Sequence, residues 1–303
     1  MSESVYLNWL NETMTYMEYP QSTIDFVIDT YKKICQNKRA NRLFSDALAL
    51  YEKRLIPAWS WGLSAAERAG NEIGVHKFSA HFVFSLCATK HIKTFYEQKG
   101  MPDGCFDGFL KDIKIKWSEC VKLHKMDGVF VAEWFNRFAD GTRHTFGRLQ
   151  FEPIFLGADY EGNGFTAKEG DLVINIHIPG GSKLFRQDCI DAFLMAAEYY
   201  SDFFEDAKVI FHCHSWLLYP GHKEFLPETS ALLMFADFFN VVEVNTGKDA
   251  LWRIFGRTDC EENLADLPED TSLQRAFKKR LLEGGEIGAA RGFFVVKNGE
   301  FIK

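Results

Sequence analysis

The sequence predicts an α/β (α+β) fold in which a helical N-terminal domain, residues 1–140, precedes a mixed β-sheet domain with flanking helices, residues 141–303. Three observations support this division. The chain has 303 residues, which suits two domains of ordinary size better than one. Apolar residues recur at helical spacing before residue 140, whereas strand-like and helix-like segments alternate after it. The turn-like tetrapeptide ADGT, residues 139–142, marks the boundary.

The first half is predicted to be helical because it has few β-branched runs and little strict alternation. Pro20 with Ser22 marks one helix start, and Gly100 is a natural helix stop. Two further segments, 106–124 and 129–138, are amphipathic. The helix that should end near Gly100 carries five residues at helical spacing: Val75, Phe78, Phe82, Leu86 and Thr89.

The second half alternates predicted strands with predicted helices and ends in a hairpin. Segment 208–218 is apolar on both faces, which is typical of a central strand in a covered sheet. In segment 293–302, Asn298-Gly299 is the favoured pair for a type I′ hairpin turn. The predicted strands are 143–156, 171–179, 208–218, 241–244 and 252–255, and the predicted helices are 186–204, 227–239 and 272–282.

Composition and charge exclude several classes of protein. The hydrophobic content of 47% is enough for two packed cores and argues against disorder. The net charge of −7, without a Lys/Arg block, predicts no nucleic-acid partner, although a small anionic ligand needs only a local site. We expect no membrane partner and a cytoplasmic location, because no leader pattern or long uncharged apolar run is present and the seven cysteines are scattered without a CxxC pair. The oligomeric state stays open.

The segment LVINIHIPGGSKLF, residues 172–185, predicts an anion site. A strand that runs through a Gly-Gly turn into a helix presents unpaired N–H groups at the positive end of the helix dipole. Gly180 and Gly181 let a ligand approach the backbone closely, and Lys183 adds a cationic donor. Such turns are also common plain connectors, and the chain contains neither GxxxxGK[ST] nor GxGxxG. Phosphate binding and simple connection therefore both remain open.

Five segments in order resemble a family of bacterial two-domain acyltransferase-domain proteins, which have a helical N-terminal domain and a GNAT-like C-terminal domain. They are GRLQFE (147–152), IHIPGGSKL (176–184), CHSWLL (213–218), LPETSALLMF (226–235) and RIFG (253–256). The resemblance covers roughly residues 140–260. It implies an acyl-CoA-dependent N-acyltransferase that uses acetyl-CoA or another acyl-CoA as co-substrate and transfers the acyl group directly to a small-molecule acceptor in a ternary complex.

The resemblance also implies a location for the acyl-CoA. In GNAT acyltransferases the thioester lies between two splayed parallel strands, here 171–179 and 208–218, and the pyrophosphate lies on the loop after the first strand. The loop departs from the usual Arg/Gln-x-x-Gly-x-Gly/Ala pattern, and Phe235 stands near the usual tyrosine acid, for which Tyr219 is a possible substitute. The implied cofactor-binding residues are Ile178, Gly180, Gly181, Ser182, Lys183 and Leu184.

Three residues are candidate bases for the incoming amine: His177, His214 and Glu152. Histidine titrates near neutral pH, and His177 lies on the first strand beside the implied thioester position. Each candidate has a structural alternative. For His177 the alternative is a hydrogen bond across the sheet. Glu152 lies at even spacing from Arg148, so that an ion pair between those two is an equally good interpretation.

Two other functions compete with acyl transfer. The first is a non-catalytic ligand-binding protein with a GNAT-like fold, which Phe235 favours because phenylalanine cannot donate a proton. The second is a metal-dependent hydrolase: His212 and His214 share one strand face, as in some zinc sites, with His222 and Glu224 nearby in sequence. The preferred interpretation assigns no metal ligand.

Overall fold

A computed structural model describes residues 3–53, 58–162 and 165–302. The chain divides into two compact units, Met1–His144 and Thr145–Lys303. The predicted fold class is confirmed, because a helical N-terminal region is followed by a mixed sheet with flanking helices. Within the described residues, no helix combines the length and the apolar character that crossing a bilayer requires.

The first unit contains a core of closely packed aromatic and aliphatic side chains. Gly100 ends the longest helix with a positive φ of 61°, as its position in the sequence predicts. The helix after Pro20 begins at Gln21, also as predicted. The helices are α1 (Glu3–Tyr16), α2 (Gln21–Gln36), α3 (Lys38–Glu52), α4 (Ala58–Glu72), α5 (Lys77–Lys99), α6 (Cys105–His124) and α7 (Asn136–Ala139).

The predicted helix 129–138 is wrong in form, because this segment is a 3₁₀ turn, Ala132–Phe135, followed by the short α7. Side chains of the core donate hydrogen bonds to the backbone carbonyls of this segment. Trp59 Nε1 donates to the carbonyl of Ala132 at 3.0 Å, and the Tyr96 hydroxyl donates to that of Phe138 at 2.8 Å. Since these carbonyls are bonded from the side, tertiary contacts rather than local propensity shape the segment.

The second unit contains a seven-stranded sheet in the order β1-β2-β5-β6-β8-β7, with β9 also paired to β8, and a separate β3–β4 hairpin. The pairing of β5 with β6 is parallel, and the other described pairings within the sheet are antiparallel. The strands are β1 (His144–Phe146), β2 (Leu149–Phe155), β3 (Tyr160–Gly162), β4 (Phe165–Ala167), β5 (Leu172–His177), β6 (Lys208–Ser215), β7 (Asn240–Thr246), β8 (Gly288–Lys297) and β9 (Glu300–Ile302).

The described part of the second unit also contains four α-helices. Thr271 and Gln274 form a reciprocal capping box at the start of the last helix, which explains why its predicted limits, 272–282, are confirmed. Asn298 and Gly299 have φ values of 52° and 79°, so the predicted type I′ hairpin between β8 and β9 is confirmed as well. The helices are α8 (Arg186–Tyr200), α9 (Ala231–Ala236), α10 (Leu251–Phe255) and α11 (Ser272–Leu282).

Four predicted elements of this unit differ from the structure in type or in limits. Segment 143–156 is two strands rather than one, because Gly147, with a φ of 53°, turns the chain between β1 and β2. Segment 252–255 lies in helix α10 instead of a strand. The helix predicted over 227–239 begins only at Ala231, after a cap in which Ser230 accepts the N–H of Leu232. The predicted strand 208–218 also ends early, at Ser215, and continues as a 3₁₀ turn.

The two faces of the large sheet differ in chemistry. The face under α8 and α9 is a layer of phenyl rings, in which Phe193 of α8 contacts Phe211 of β6 and Phe294 of β8 at ring-centroid distances of 6.0 and 4.8 Å. The opposite face carries the polar residues of the central strands. The β3–β4 hairpin covers part of it, with Phe165 stacked on Phe293 at 4.8 Å.

Candidate active site

The two parallel central strands separate after a short ladder. Strand β5 pairs with β6 at Ile174–Phe211 and Asn175–His212. Beyond these pairs, Ile176 and His177 pair with β2, whereas Cys213 to Ser215 pair with β8. The carboxyl ends of β5 and β6 therefore each follow a different neighbour, which opens the sheet between two interior strands.

The loop that follows β5 is held at both ends and exposed in the middle. Ile178 and Leu184 pack against the phenyl layer, whereas the four residues 180–183 between them are exposed. Helix α8 then begins at Arg186, and its N-cap residue, Phe185, has no side-chain oxygen that could accept from the first-turn amides. The loop thus leads into a helix N-terminus whose N–H groups face solvent or a ligand.

Arg148, in the turn between β1 and β2, fixes the shape of this loop. Its guanidinium donates to the carbonyl of Ser182 at 2.9 Å and to that of Lys183 at 3.4 Å. The proposed ion pair between Arg148 and Glu152 is therefore wrong. Because the carbonyls of residues 182 and 183 turn toward Arg148, the exposed part of the loop keeps a defined backbone course beside the start of α8.

Glu152 instead contacts His177 across strands β2 and β5. The carboxylate Oε1 lies 2.8 Å from the ring Nε2 of His177, and both side chains are mostly buried. The structure therefore brings two of the three candidate bases together as a histidine–carboxylate pair at the point where β5 and β6 separate. A carboxylate in this position orients the imidazole and stabilises its protonated form.

His214, the third candidate, lies on β6 beyond the end of the β5–β6 ladder and is exposed. Partial burial lowers the pKa of His214, and the nearby Arg291 lowers it further while Glu243 opposes the shift. His214 is consequently neutral at pH 7 and able to accept a proton. It pairs in register with Arg291, so its environment differs from that of His177.

His212 lies two residues before His214 on the same face of β6, and both of its ring nitrogens contact other side chains. Its Nδ1 lies 2.8 Å from Oδ1 of Asn175, and its Nε2 lies 2.8 Å from the guanidinium of Arg291. Burial, with help from Arg291, lowers the pKa of His212 to about 3.

This environment argues against the metal-dependent hydrolase, because a cation already contacts the ring nitrogen that a metal ion would need. Glu224 pairs with Arg280 at 2.6 Å. Across the residues that the structure describes, no group of three or more His, Cys, Asp or Glu side chains is arranged to hold a metal ion.

Phe235 and Tyr219 occupy different kinds of position. Phe235 is fully buried in the phenyl layer on the helix-covered face, against Phe193 and Phe239. It therefore lies on the face opposite to His177. Tyr219 follows the 3₁₀ turn after β6, and its ring packs over Gly288, where a Cβ would come within 2.9 Å of it. Burial raises the pKa of the Tyr219 hydroxyl.

His222 lies in an aromatic box near the end of β6. It is fully buried, and neither ring nitrogen has a hydrogen-bond partner among the described residues. Burial lowers the pKa of this ring to about 4. The box is made by four rings with centroids 5.2–6.1 Å from that of His222: Trp216, Tyr219, Phe225 and Phe277.

Replacing His222 with phenylalanine is expected to stabilise the protein. Removing an unsatisfied buried polar group is worth about 1–3 kcal/mol at pH 7. The unfolded histidine binds a proton near pH 6.5, whereas the folded one does not until about pH 4, so wild-type stability falls as the pH drops through this window. The stabilisation by His222→Phe should therefore grow by about 2 kcal/mol between pH 7 and pH 5. Urea unfolding at both pH values measures it, with His124→Phe as the control, and an unchanged difference between the two pH values would contradict it.

Sequence reasoning missed Asn175, Arg291 and Glu243. All three lie on the polar face: Asn175 contacts both His177 and His212, and Arg291 joins His212 to Glu243. The period-2 alternation of strand 172–177 was a signal for Asn175, because it places residues 175 and 177 on one face. Arg291 and Glu243 had no such signal, since the order of β7 and β8 in the sheet is not readable from spacing.

Comparisons with known proteins agree with this architecture. Residues 144–294 match the family described as the GNAT-like C-terminal domain. Among curated proteins, none matches the chain.

Three solved structures show how far the likeness extends. An acyltransferase in complex with decanoyl-CoA and teicoplanin is 18% identical, with 93% of this chain and 86% of that one covered and a TM-score of 0.68. An acyltransferase with CoA and 10C-teicoplanin is 17% identical over 94% and 98%, with a TM-score of 0.61. An acyltransferase with decanoyl-CoA is 22% identical over 78% and 77%, with a TM-score of 0.61.

At these identities the solved structures establish a shared fold, and they extend the likeness beyond the C-terminal half to most of the chain. Residues 144–294 of this chain are therefore a GNAT-like C-terminal domain, and the chain shares its fold, a helical N-terminal region followed by this domain, with the solved acyltransferases.

Proposed function

We propose that this protein is an acyl-CoA-dependent N-acyltransferase that acts on a small-molecule acceptor. The observation that carries the proposal is the separation of β5 and β6 after Asn175 and His212, directly before an exposed loop and a helix N-terminus. A peptide-like pantetheine arm can pair with the strand edges that this separation leaves. The solved structures that share the fold hold decanoyl-CoA, octanoyl-CoA or CoA, which supports an acyl-CoA as the co-substrate.

The loop after β5 supplies the groups that a diphosphate requires. Gly180, Gly181 and Ser182 offer exposed backbone, and Gly181 has a φ of 87°, which favours glycine at that position. Lys183 contributes positive charge, and the N–H groups at the start of α8 add the favourable end of the helix dipole. The carboxylate of Asp188, in the first turn of α8, competes with a bound phosphate for this positive end of the helix dipole. The backbone N–H of Ile178, directly after the end of β5, would then donate a hydrogen bond to the thioester oxygen.

The reaction needs a base on the acceptor side and no covalent enzyme intermediate. The acceptor nitrogen attacks the thioester carbon, so that a C–N bond forms and the carbonyl π electrons move to oxygen. The C–S bond then breaks, and the thiolate of CoA leaves and takes a proton from solvent. The proton lost by the acceptor nitrogen goes to His177, whose imidazolium Glu152 stabilises at 2.8 Å. His214, on the facing strand, is the alternative base.

Reversing the charge of Lys183 is expected to weaken acyl-CoA binding about tenfold or more, because it replaces a charge-assisted contact to phosphate with repulsion. Isothermal titration calorimetry with acetyl-CoA, octanoyl-CoA and decanoyl-CoA on wild type and Lys183→Glu measures the change. Lys208→Glu is the matched control, since Lys208 is also exposed but lies at the opposite end of β6. Failure of wild type to bind any of the three acyl-CoAs would remove the proposal.

A thiol-release assay separates catalysis from binding. Free CoA is detected with DTNB in the presence and absence of candidate amine acceptors, and the signal without acceptor corrects for the protein's own cysteines. Acceptor-dependent release supports the transferase. Binding of acyl-CoA without release for any acceptor would instead support the non-catalytic ligand-binding protein.

A further inference from the structure

A continuous line of polar side chains crosses the polar face of the sheet from β2 to β7. We call it the polar line, and its members in order are Glu152, His177, Asn175, His212, Arg291 and Glu243. The distances between the polar atoms of consecutive members are 2.8, 3.1, 2.8, 2.8 and 2.9 Å. The polar line connects the candidate base, His177 on β5, to groups on four other strands, β2, β6, β8 and β7.

Arg291 fixes the direction of the hydrogen bonds in the polar line. A guanidinium can only donate, so the Nε2 atom of His212 accepts from it. Because the buried ring of His212 is neutral, its proton must then lie on Nδ1 and be donated to Oδ1 of Asn175. The amide of Asn175 is thereby oriented with its oxygen toward His212 and its nitrogen toward His177.

His177 consequently meets two groups with opposite effects at the same atom. The Oε1 atom of Glu152, 2.8 Å from Nε2, favours a protonated nitrogen. The Nδ2 donor of Asn175, 3.1 Å from the same nitrogen, favours an unprotonated one. A carboxylate alone would hold the proton on His177 more firmly, and the oriented amide offsets part of that effect.

We propose that Asn175, oriented by His212 and Arg291, is a positioning residue that sets the protonation of His177. The inference rests on the proposed function, in which His177 is the base.

The charged and titratable groups on the face that carries His177 include side chains of β2, β6, β7 and β8. Glu152 faces it from β2, and His212 and His214 lie on the adjacent β6. Arg291 on β8 and Glu243 on β7 follow along the line. The hairpin that covers this face contributes a titratable side chain as well, because the ring of Tyr160 lies 4.7 Å from the guanidinium of Arg291.

The test replaces the amide of Asn175 with a carboxylate of the same shape. Asn175→Asp keeps an oxygen that accepts from His212 but exchanges the N–H donor at His177 for a negative charge. The titration midpoint of His177 should rise by roughly 1 pH unit or more. Nitrogen-15 NMR of histidine-labelled full-length protein, with the His177 signal identified by its absence in His177→Gln, measures this midpoint without any ligand. Asn240→Asp, on β7, is the matched control for an added charge.

A rise in Asn175→Asp that is absent from Asn240→Asp supports the proposal, and equal shifts or no shift overturn it. In an active enzyme, the acid limb of kcat/KM should move to higher pH by the same amount as the midpoint. The wild-type spectrum gives a second test that does not depend on the folding of a variant. Nitrogen shifts that place the proton of His212 on Nδ1 support the polar line, and a proton on Nε2 overturns it.

These measurements are made on the ligand-free protein, so their result is distinguishable from a failure to bind acyl-CoA. Absence of acyl-CoA binding would contradict the proposed transferase function, whereas the measured titration midpoint of His177 would still support or contradict the role of Asn175.

Discussion

Replacing His177 with glutamine is expected to lower kcat by ~10²–10⁴-fold, the usual contribution of a general base. Glutamine keeps an amide that can bond to Glu152, so the packing between β2 and β5 should survive. It cannot accept a proton near neutral pH. Affinity for acyl-CoA should stay at the wild-type value, because the loop at 180–183 is unchanged. Steady-state kinetics with a productive acceptor, combined with calorimetry, measures both quantities.

His124→Gln, in the first unit, is the control for loss of a histidine. A wild-type kcat in His177→Gln would show that another group removes the proton, and His214→Gln would then be the variant to measure. A parallel loss of acyl-CoA binding would mean that His177 supports the shape of the site rather than the chemistry.

Truncating Phe193 to alanine is expected to destabilise the second unit by about 3–5 kcal/mol, since it opens a large cavity in a packed core. Phe193 is fully buried, and its ring contacts six other phenyl rings. They belong to Phe151, Phe211, Phe235, Phe238, Phe294 and Phe301, at centroid distances of 4.8–6.4 Å. Native-state amide exchange of peptides from β6 and β8 measures the opening free energy of this unit itself.

Phe155→Ala is the matched control, because this phenylalanine at the end of β2 is 74% exposed. Its effect should stay within about 0.5 kcal/mol, as for most surface substitutions. If both variants lower the opening free energy equally, the phenyl layer is not the main source of stability in this unit.

The sequence predicted elements well where local chemistry decides the structure. The helix limits 272–282, the turn pair Asn298-Gly299 and the stop at Gly100 are each decided by contacts within a few residues, and each of these predictions is confirmed. It failed where tertiary contacts decide. The segment 252–255 is apolar and short, so its periodicity cannot distinguish a strand from helix α10.

The candidate site shows the same limit. The glycine loop and the two histidines were visible as sequence patterns, because a strand end and a period of two are local properties. Which carboxylate meets His177 depends on the order of strands, and for Glu152 the sequence offered an ion pair with Arg148 or a catalytic role, without naming His177 as its partner. The antiparallel register that places Glu152 opposite Asn175 settles this choice, and no short pattern encodes it.

The early end of the β5–β6 ladder also has a mechanical meaning. A sheet usually gains its cohesion from backbone hydrogen bonds across every junction, but here two pairs, Ile174–Phe211 and Asn175–His212, form the central junction. The half built on β1, β2 and β5 and the half built on β6, β7 and β8 are therefore also joined by side chains, through the hydrogen bond between His212 and Asn175 on one face and through the rings that press against α8 on the other. Side-chain contacts on both faces, and not backbone pairing alone, therefore hold the two strands together at the place where they begin to separate.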